Sequence, residues 1–537
     1  MSDAARFYLT TPIYYVNDEP HIGHVFTTTV ADAIARARRL AGDEVFFLTG
    51  TDEHAAKVVD SAAERGLTPQ QWSDRNAQAF RAAFGEFGIQ TDDFIRTSEE
   101  RHKRFVREAI AALVRSGDVY LGDYEGWYDA SQEEYVSEAR AEEHGFLSPV
   151  TGKPLVRKQE QNYFFRLSAY QARLQQLFEQ QPDFVLPSAR RNEVLGRLEA
   201  GLLDVPISRR GAGDWGVRFP GAEDHLIYVW IDALLSYTTV CAPAERRRFW
   251  PAQTHLIAKD ILWFHAVIWP ALLLALRATP DFAWLALPGG IYAHSFWIRD
   301  GQKMSKSLGN FLGLAQLREL VAVFGLDALR WFLITQGPLA TVDSDFSHAR
   351  FADVYNAELA NTLGNAWNRV SNMTARYLGG RLPRVCARGE LRERALAILA
   401  RDAEDGPLGV GRAARGLELV RAIDAHIDAT APFRLAKDPA NAERVAEILY
   451  ECAETYRLAS LLLWPALPAK MEEVWRRLGC REYLEALAGR GRGRFREWSR
   501  WGGLQAGSEI AAGGALFPRY QPADASGAAA AAGGGPA

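Results

Sequence analysis

The chain has little cysteine. Its four residues, Cys241, Cys386, Cys452 and Cys480, lie far apart, with no C-x-x-C pair. That spacing argues against a disulfide framework or a cysteine-held zinc site and suits a reducing cytosol. Long apolar runs are missing too. No window approaches the ~18 uninterrupted apolar residues of a spanning helix, and the stretch from Met1 to Arg6 has no hydrophobic signal core. A cytoplasmic protein with no signal peptide and no membrane span is therefore expected. Neither charge is in clear excess. With 62 Lys and Arg against 66 Asp and Glu, the net charge is −4. Global charge gives no support for nucleic-acid binding, so any such site is a local patch. The basic clusters Arg101–Arg104, Arg246–Arg248 and Arg490–Arg500 read as solvated helix faces. No internal repeat stands out, and no Ser-His-Asp or Cys-His nucleophile signature is recognisable.

What is present is a long chain of ordinary globular composition. At 537 residues it exceeds one domain, and about two to four are expected. Residues 1–115 alternate strand-like and helix-like segments, which implies a parallel sheet with crossover helices. Turn signals crowd residues 116–225 and mark an inserted module. Alternation returns over 226–344. Residues 345–500 show apolar positions at three-and-four spacing and read as all-helical. Residues 501–537 turn Gly- and Ala-rich and are expected to be a disordered tail. The fold class is α/β: a Rossmann-like, doubly wound sheet split by an insertion, followed by an all-α domain.

Two motifs carry chemistry. Pro20-His21-Ile22-Gly23-His24 follows the strand-like run Arg6–Thr10 and opens a helix from about Gly23 to Leu40. Asn17 and Asp18 are the residues suited to cap it, and Pro20 is tolerated at its start. Two histidines three apart on a first helical turn stand beside free backbone N–H groups, an arrangement suited to phosphate. The second motif, Lys303-Met304-Ser305-Lys306-Ser307, lies between Gly301 and Gly309. The glycines predict a mobile loop. Two lysines three apart can reach one anion and neutralise a departing pyrophosphate. Alone, such a loop is solvated surface. Paired in this order with His-Ile-Gly-His, inside α/β frames, it is far more specific.

With these motifs the chain resembles the class I aminoacyl-tRNA synthetases and, within them, the methionyl-tRNA synthetase family. The resemblance spans residues 6 to about 480. Its carriers are Thr11–Asn17, His21–His24, Phe47–His54, Asn162–Phe165, Tyr228–Trp230, Lys259–Ile261 and Lys303–Ser307. It implies methionine activation by ATP, with Mg²⁺ accompanying the nucleotide, then transfer of methionine to tRNA(Met), including the initiator. His21, His24, Lys303 and Lys306 would act on the phosphates. Arg209 would contact substrate or adenylate, and Asp260 the ATP ribose. The family usually has glycine where this chain has Ala258, so adjusted nucleotide contacts are expected. Asp52 would meet the substrate ammonium. Ile13, Tyr15, Trp230, Leu234, Tyr237, Phe264 and His265 would form the amino-acid pocket, where aromatic rings suit a polarizable thioether and His265 can donate toward the sulfur.

Two departures and one boundary follow from the same resemblance. Many relatives carry a zinc knuckle after a Tyr-Glu-Gly-x-Tyr run, kept here as Tyr124–Tyr128. The cysteine pairs fall on Asp129 and Gln132, and on Ser148 and Thr151, which do not make a tetrahedral zinc site. No zinc is expected. Asn365, Arg369 and Phe433, the last in place of a stacking tryptophan, would read anticodon bases. The chain stops without the C-terminal dimerisation domain of some relatives, so a monomer is expected. Two other readings stay open: a synthetase for another amino acid, and a tRNA-binding paralogue without catalysis. The short insertion, with no room for a large editing domain, favours methionine over isoleucine, valine or leucine.

Overall fold

The computed structural model describes residues 5–129, 134–136, 138–149, 151–210, 213–299, 301–304, 309–382, 389–511 and 513–521. The first strand, β1 (Arg6–Tyr15), is buried along most of its length, as befits a parallel strand covered on both faces. It feeds α1 (Ile22–Ala41), which returns the chain to β2 (Glu44–Asp52), paired parallel to β1. Across the sheet the strands run Asp93–Arg96, β2, β1, Thr254–Ala258, Ile291–His294 and Val185–Leu186, every pairing parallel. Strand order reverses between β1 and Thr254–Ala258. Open α/β sheets bind ligands at such a switch point, beyond the carboxyl ends of the strands. Val185–Leu186 falls inside the stretch assigned to the insertion, yet it forms an edge of this sheet.

The start of α1 differs from the expected capping. His21, rather than Asn17 or Asp18, is the N-cap. Its Nδ1 accepts the Gly23 N–H at 3.0 Å, and its own N–H donates to His24 Nδ1 at 3.3 Å. The pair is a capping box built from imidazoles. A Cβ on Gly23 would stand 2.9 Å from His21 Cε1, so a larger residue there would push the His21 ring from its capping position. The chain just after the lysine loop zips onto this start: Ile22 N–H donates to the Leu312 carbonyl at 3.1 Å, and His21 bridges Gly313. Segments about 290 positions apart are thus joined.

Deeper in α1, Asp32 accepts from Arg36 at 2.7 Å and from Arg330 at 2.6 Å. Arg330 also donates to the Pro465 carbonyl at 3.1 Å, which ties α1 to the helical region. That region packs Asn365–Leu378, Arg412–Thr430 and Ala442–Leu463 together. Residues 501–521, expected to lack a core, do not: Leu504, Ile510, Leu516 and Phe517 are buried. These apolar residues follow no helix or strand period, so composition alone hid them. Residues 522–537 lie outside the described residues. No helix among the described residues is long and apolar enough to cross a membrane.

The lobe expected to lack zinc is held by apolar packing. Val136, Ala141 and Leu155 are buried together with Trp127 against them, and the Trp127 and Phe146 rings lie 4.7 Å apart. Ser148 Oγ accepts the Thr151 N–H at 3.1 Å, which is a turn bond. Gln132 lies outside the described residues. Among the described residues, no three His, Cys, Asp or Glu groups converge as a metal site would need. Cys241, Cys452 and Cys480 are buried free thiols.

Candidate active site

A cavity of about 540 Å³ opens at the switch point. Ile13, Tyr15, His21, His24, Asp52, Trp230, Leu234, Tyr237, Asp260, Phe264 and His265 all line it. Each reaches it for a local reason. β1 shifts register between Thr10 and Ile13, beside Pro12, which has no N–H for the ladder; Ile13 and Tyr15 lie beyond that shift. Asp52 ends β2. Trp230, Leu234 and Tyr237 lie along the helix Val229–Thr239. Phe264 and His265 open a π-helical stretch, Phe264–Ile268, a distortion frequent at functional sites.

The amino-acid end is aromatic. Trp230 stacks on Phe264 with centroids 4.1 Å apart, and Tyr15 meets Trp230 edge-on at 5.9 Å. One expectation is corrected here. His265 Nδ1 donates to the Ile261 carbonyl at 3.0 Å, and Nε2 accepts from the Tyr237 hydroxyl at 2.8 Å. Burial holds its pKa down to about 4, so the ring is neutral. With both nitrogens engaged, His265 has no proton to give a sulfur atom; it orients Tyr237.

The phosphate end is built on the cap of α1. The His21 and His24 rings lie 3.8 Å apart. Each Nδ1 accepts a backbone N–H, so the neutral ring keeps its proton on Nε2. Burial, with His21 alongside, pushes the His24 pKa well below its ordinary value. His24 is therefore neutral and offers its Nε2 proton as a donor. Asp260 stands at the opposite wall, after the strand Thr254–Ala258. Burial raises its pKa, opposed by its own backbone hydrogen bond and by Lys303. Ala258 lines the cavity with φ −85°, an ordinary extended conformation for an L residue.

Other predicted residues lie elsewhere. Lys303 is exposed on the short strand Gln302–Lys303, paired to Trp297–Arg299. Lys306 lies outside the described residues. Arg209 stands outside the cavity lining; its guanidinium packs over the Tyr128 and Tyr228 rings at 4.5 and 5.0 Å. Arg369 donates to Asp424 at 2.8 Å and also pairs with Asp428. Asn365, four residues earlier, is exposed. Phe433 is 41% exposed, presented by a turn that starts at Ala431 with φ 44°. Sequence reasoning missed Lys57, Arg140, Arg197, Trp263 and Phe296, which also line the cavity. The Arg197 guanidinium lies 3.7 Å over the Trp263 ring. No motif links these residues, which come from separate segments and meet only on folding.

Comparisons with known proteins agree with this geometry. The family described as "tRNA synthetases class I (M)" matches residues 7–145 and 146–371. Methionine–tRNA ligase of Streptomyces coelicolor is 38% identical, over 96% of this chain and 97% of its own. That of Brucella suis is 38% identical, over 97% and 99%. The structure of Mycobacterium tuberculosis methionyl-tRNA synthetase in complex with methionyl-adenylate superposes with a TM-score of 0.84 at 33% identity, covering 96% of this chain and all of that one. The chain belongs to the methionyl-tRNA synthetase family of class I tRNA synthetases.

Proposed function

We propose that this protein is a methionine–tRNA ligase that activates L-methionine with ATP and passes it to tRNA(Met), the initiator included. The observation that carries the reading is one cavity joining the His21–His24 pair, an aromatic cage and Asp52. In the first step the methionine carboxylate attacks the α-phosphate and pyrophosphate leaves. That nucleophile is already an anion, so no general base is needed, and positioning with charge stabilisation supplies the rate. His21 and His24 donate from Nε2 to the α-phosphate oxygens as charge builds there. Lys303 and Lys306 act on the β- and γ-phosphates, and Mg²⁺ accompanying ATP would supply further charge neutralisation there. Asp260 holds the ribose and Arg209 reaches the substrate or adenylate.

Asp52 pairs with the methionine ammonium. Ile13, Tyr15, Trp230, Leu234 and Phe264 enclose the thioether, and Tyr237 is oriented by His265. In the second step a ribose hydroxyl of the terminal adenosine attacks the carbonyl carbon and AMP departs. The cations Lys57, Arg140 and Arg197 along the cavity support the approach of a polyanion. Asn365, Arg369 and Phe433 contact the anticodon, with Arg369 exchanging an aspartate for a base. Methionine-dependent ATP–pyrophosphate exchange, followed by charging of tRNA(Met), tests the reading. Activity with both is expected; no exchange with methionine would overturn it, and exchange with another amino acid would reassign the substrate.

A further inference from the structure

Behind the cavity lies a buried cluster with no role in the steps above. The Asp232 carboxylate contacts His54 Nδ1 at 2.7 Å and His102 Nε2 at 3.0 Å. Side-chain exposures are 1% for Asp232, 4% for His54 and 0% for His102. His102 Nδ1 lies 3.0 Å from Thr239 Oγ. Burial alone would raise the Asp232 pKa, but His54 and His102 outweigh it and hold it at about 2. The carboxylate is ionised, and both imidazoles donate to it.

The three residues come from three elements: His54 from just past β2, His102 from the helix Glu100–Ser116, and Asp232 from Val229–Thr239. Asp232 lies two positions from both Trp230 and Leu234, so at about 100° per residue it faces the opposite side of the helix. His54 lies two positions beyond Asp52. Glu53, between them, is fixed by a bidentate Arg96 at 2.7 and 3.0 Å and by Thr51 at 2.7 Å. The cluster thus ties the segment just past Asp52 to the helix that carries Trp230 and Leu234, the two elements that hold the two ends of an amino acid. Apolar side chains of the same volume would stabilise such a junction as well or better. Directed hydrogen bonds add a fixed distance and register.

We infer that Asp232 is a positioning residue for amino-acid recognition: through His54 and His102 it sets the spacing between Asp52 and the Trp230–Leu234 wall, and so the side-chain length the pocket accepts. The inference rests on the methionine-pocket reading above. Nothing in the cluster makes it a hydrolytic site. The Thr239 hydroxyl is 2.9 Å from the Leu235 carbonyl, and the other face of His54 meets the Trp215 ring at 5.5 Å.

The test uses the full chain and pyrophosphate exchange with methionine, norleucine and ethionine, the last one carbon longer. Asp232→Asn is expected to raise the methionine KM about tenfold, to leave the ATP KM within about twofold, and to narrow the preference for methionine over ethionine by about threefold or more. His102→Gln, which keeps an N–H for Asp232, should fall nearer the unaltered protein than His102→Leu. If the methionine and ATP constants move together, or only the melting temperature falls, Asp232 is a packing element and the inference fails. If Asp232→Asn does not fold, the two His102 variants decide by the same criteria. An unaltered protein inactive with methionine would instead sink the functional reading, which the same assay shows first.

Discussion

His21 both caps α1 and faces the cavity, so one side chain serves the fold and the site. The capping box engages both Nδ1 atoms, so the donor each neutral ring would turn to a ligand is Nε2. His24→Ala is expected to slow adenylate formation by about 10²–10³-fold while changing ATP binding far less, because its donor matters most as charge develops. Single-turnover kinetics against ATP titration separates the two; equal losses would reduce the pair to a ground-state clamp. His265 and His294 give a pH prediction. Burial holds both pKa values at about 4, against an ordinary 6.5. The unfolded chain then binds protons that the folded chain refuses. Stability from each is full above pH 6.5, falls as pH drops toward 4, and levels off below. The loss is on the order of 3 kcal/mol per group. Urea melts at intervals from pH 7.5 to 4 check the slope, and His294→Gln should flatten part of it. Motif matching places His265 in the cavity, but its tautomer was not legible in the sequence, because it depends on the Ile261 carbonyl and the Tyr237 hydroxyl that only the folded chain brings to its two nitrogens.

Among elements, α1 shows which features a sequence reveals. Its position was legible from the flanking strands and the histidine motif. Its cap was not, because imidazole is not among the usual capping side chains and acts here only through the geometry that Gly23 permits. Its anchor was also hidden. Asp32 and Arg36 stand four apart on the helix, while the second partner of Asp32, Arg330, lies about 300 positions away. Arg330 is 1% exposed and Asp32 fully buried. Removing one partner leaves a buried charge without compensation, so Arg330→Met should cost about 3–5 kcal/mol. Replacing both Asp32 and Arg330 with apolar residues should cost less than the sum of the single changes, because neither charge is then stranded. A double-mutant cycle by urea denaturation measures this, and strict additivity would mean that Arg36 alone compensates Asp32.

For the whole molecule, the two-part plan of α/β sheet and helical region was readable from periodicity, whereas the segment that straps them together was not. Glu454 is fully buried and accepts the N–H groups of Gly502, Gly503 and Leu504 at 2.8–3.0 Å. It also holds Arg457, which donates to the Arg500 carbonyl at 2.8 Å. Further on, the Tyr355 hydroxyl donates to the Pro518 carbonyl at 2.7 Å, and Asn356 and Tyr520 exchange two hydrogen bonds. The Tyr520 ring then packs 4.6 Å from Phe324, on the helix Leu314–Phe324 that follows the lysine loop. The strap therefore runs from the helical core to an element beside the active site. Ending the chain after Arg500 strips a buried carboxylate of three donors and should cost about 3 kcal/mol or more. Asn356→Ala cuts only the far end of the strap and should cost about 1 kcal/mol, with methionine-dependent exchange near that of the unaltered protein. Urea melts of the two variants compare these costs. If they match, the strap docks as one cooperative unit, anchored at Asn356 as firmly as at Glu454; if truncation costs far more, Glu454 is the anchor and the Tyr520 end rests on it.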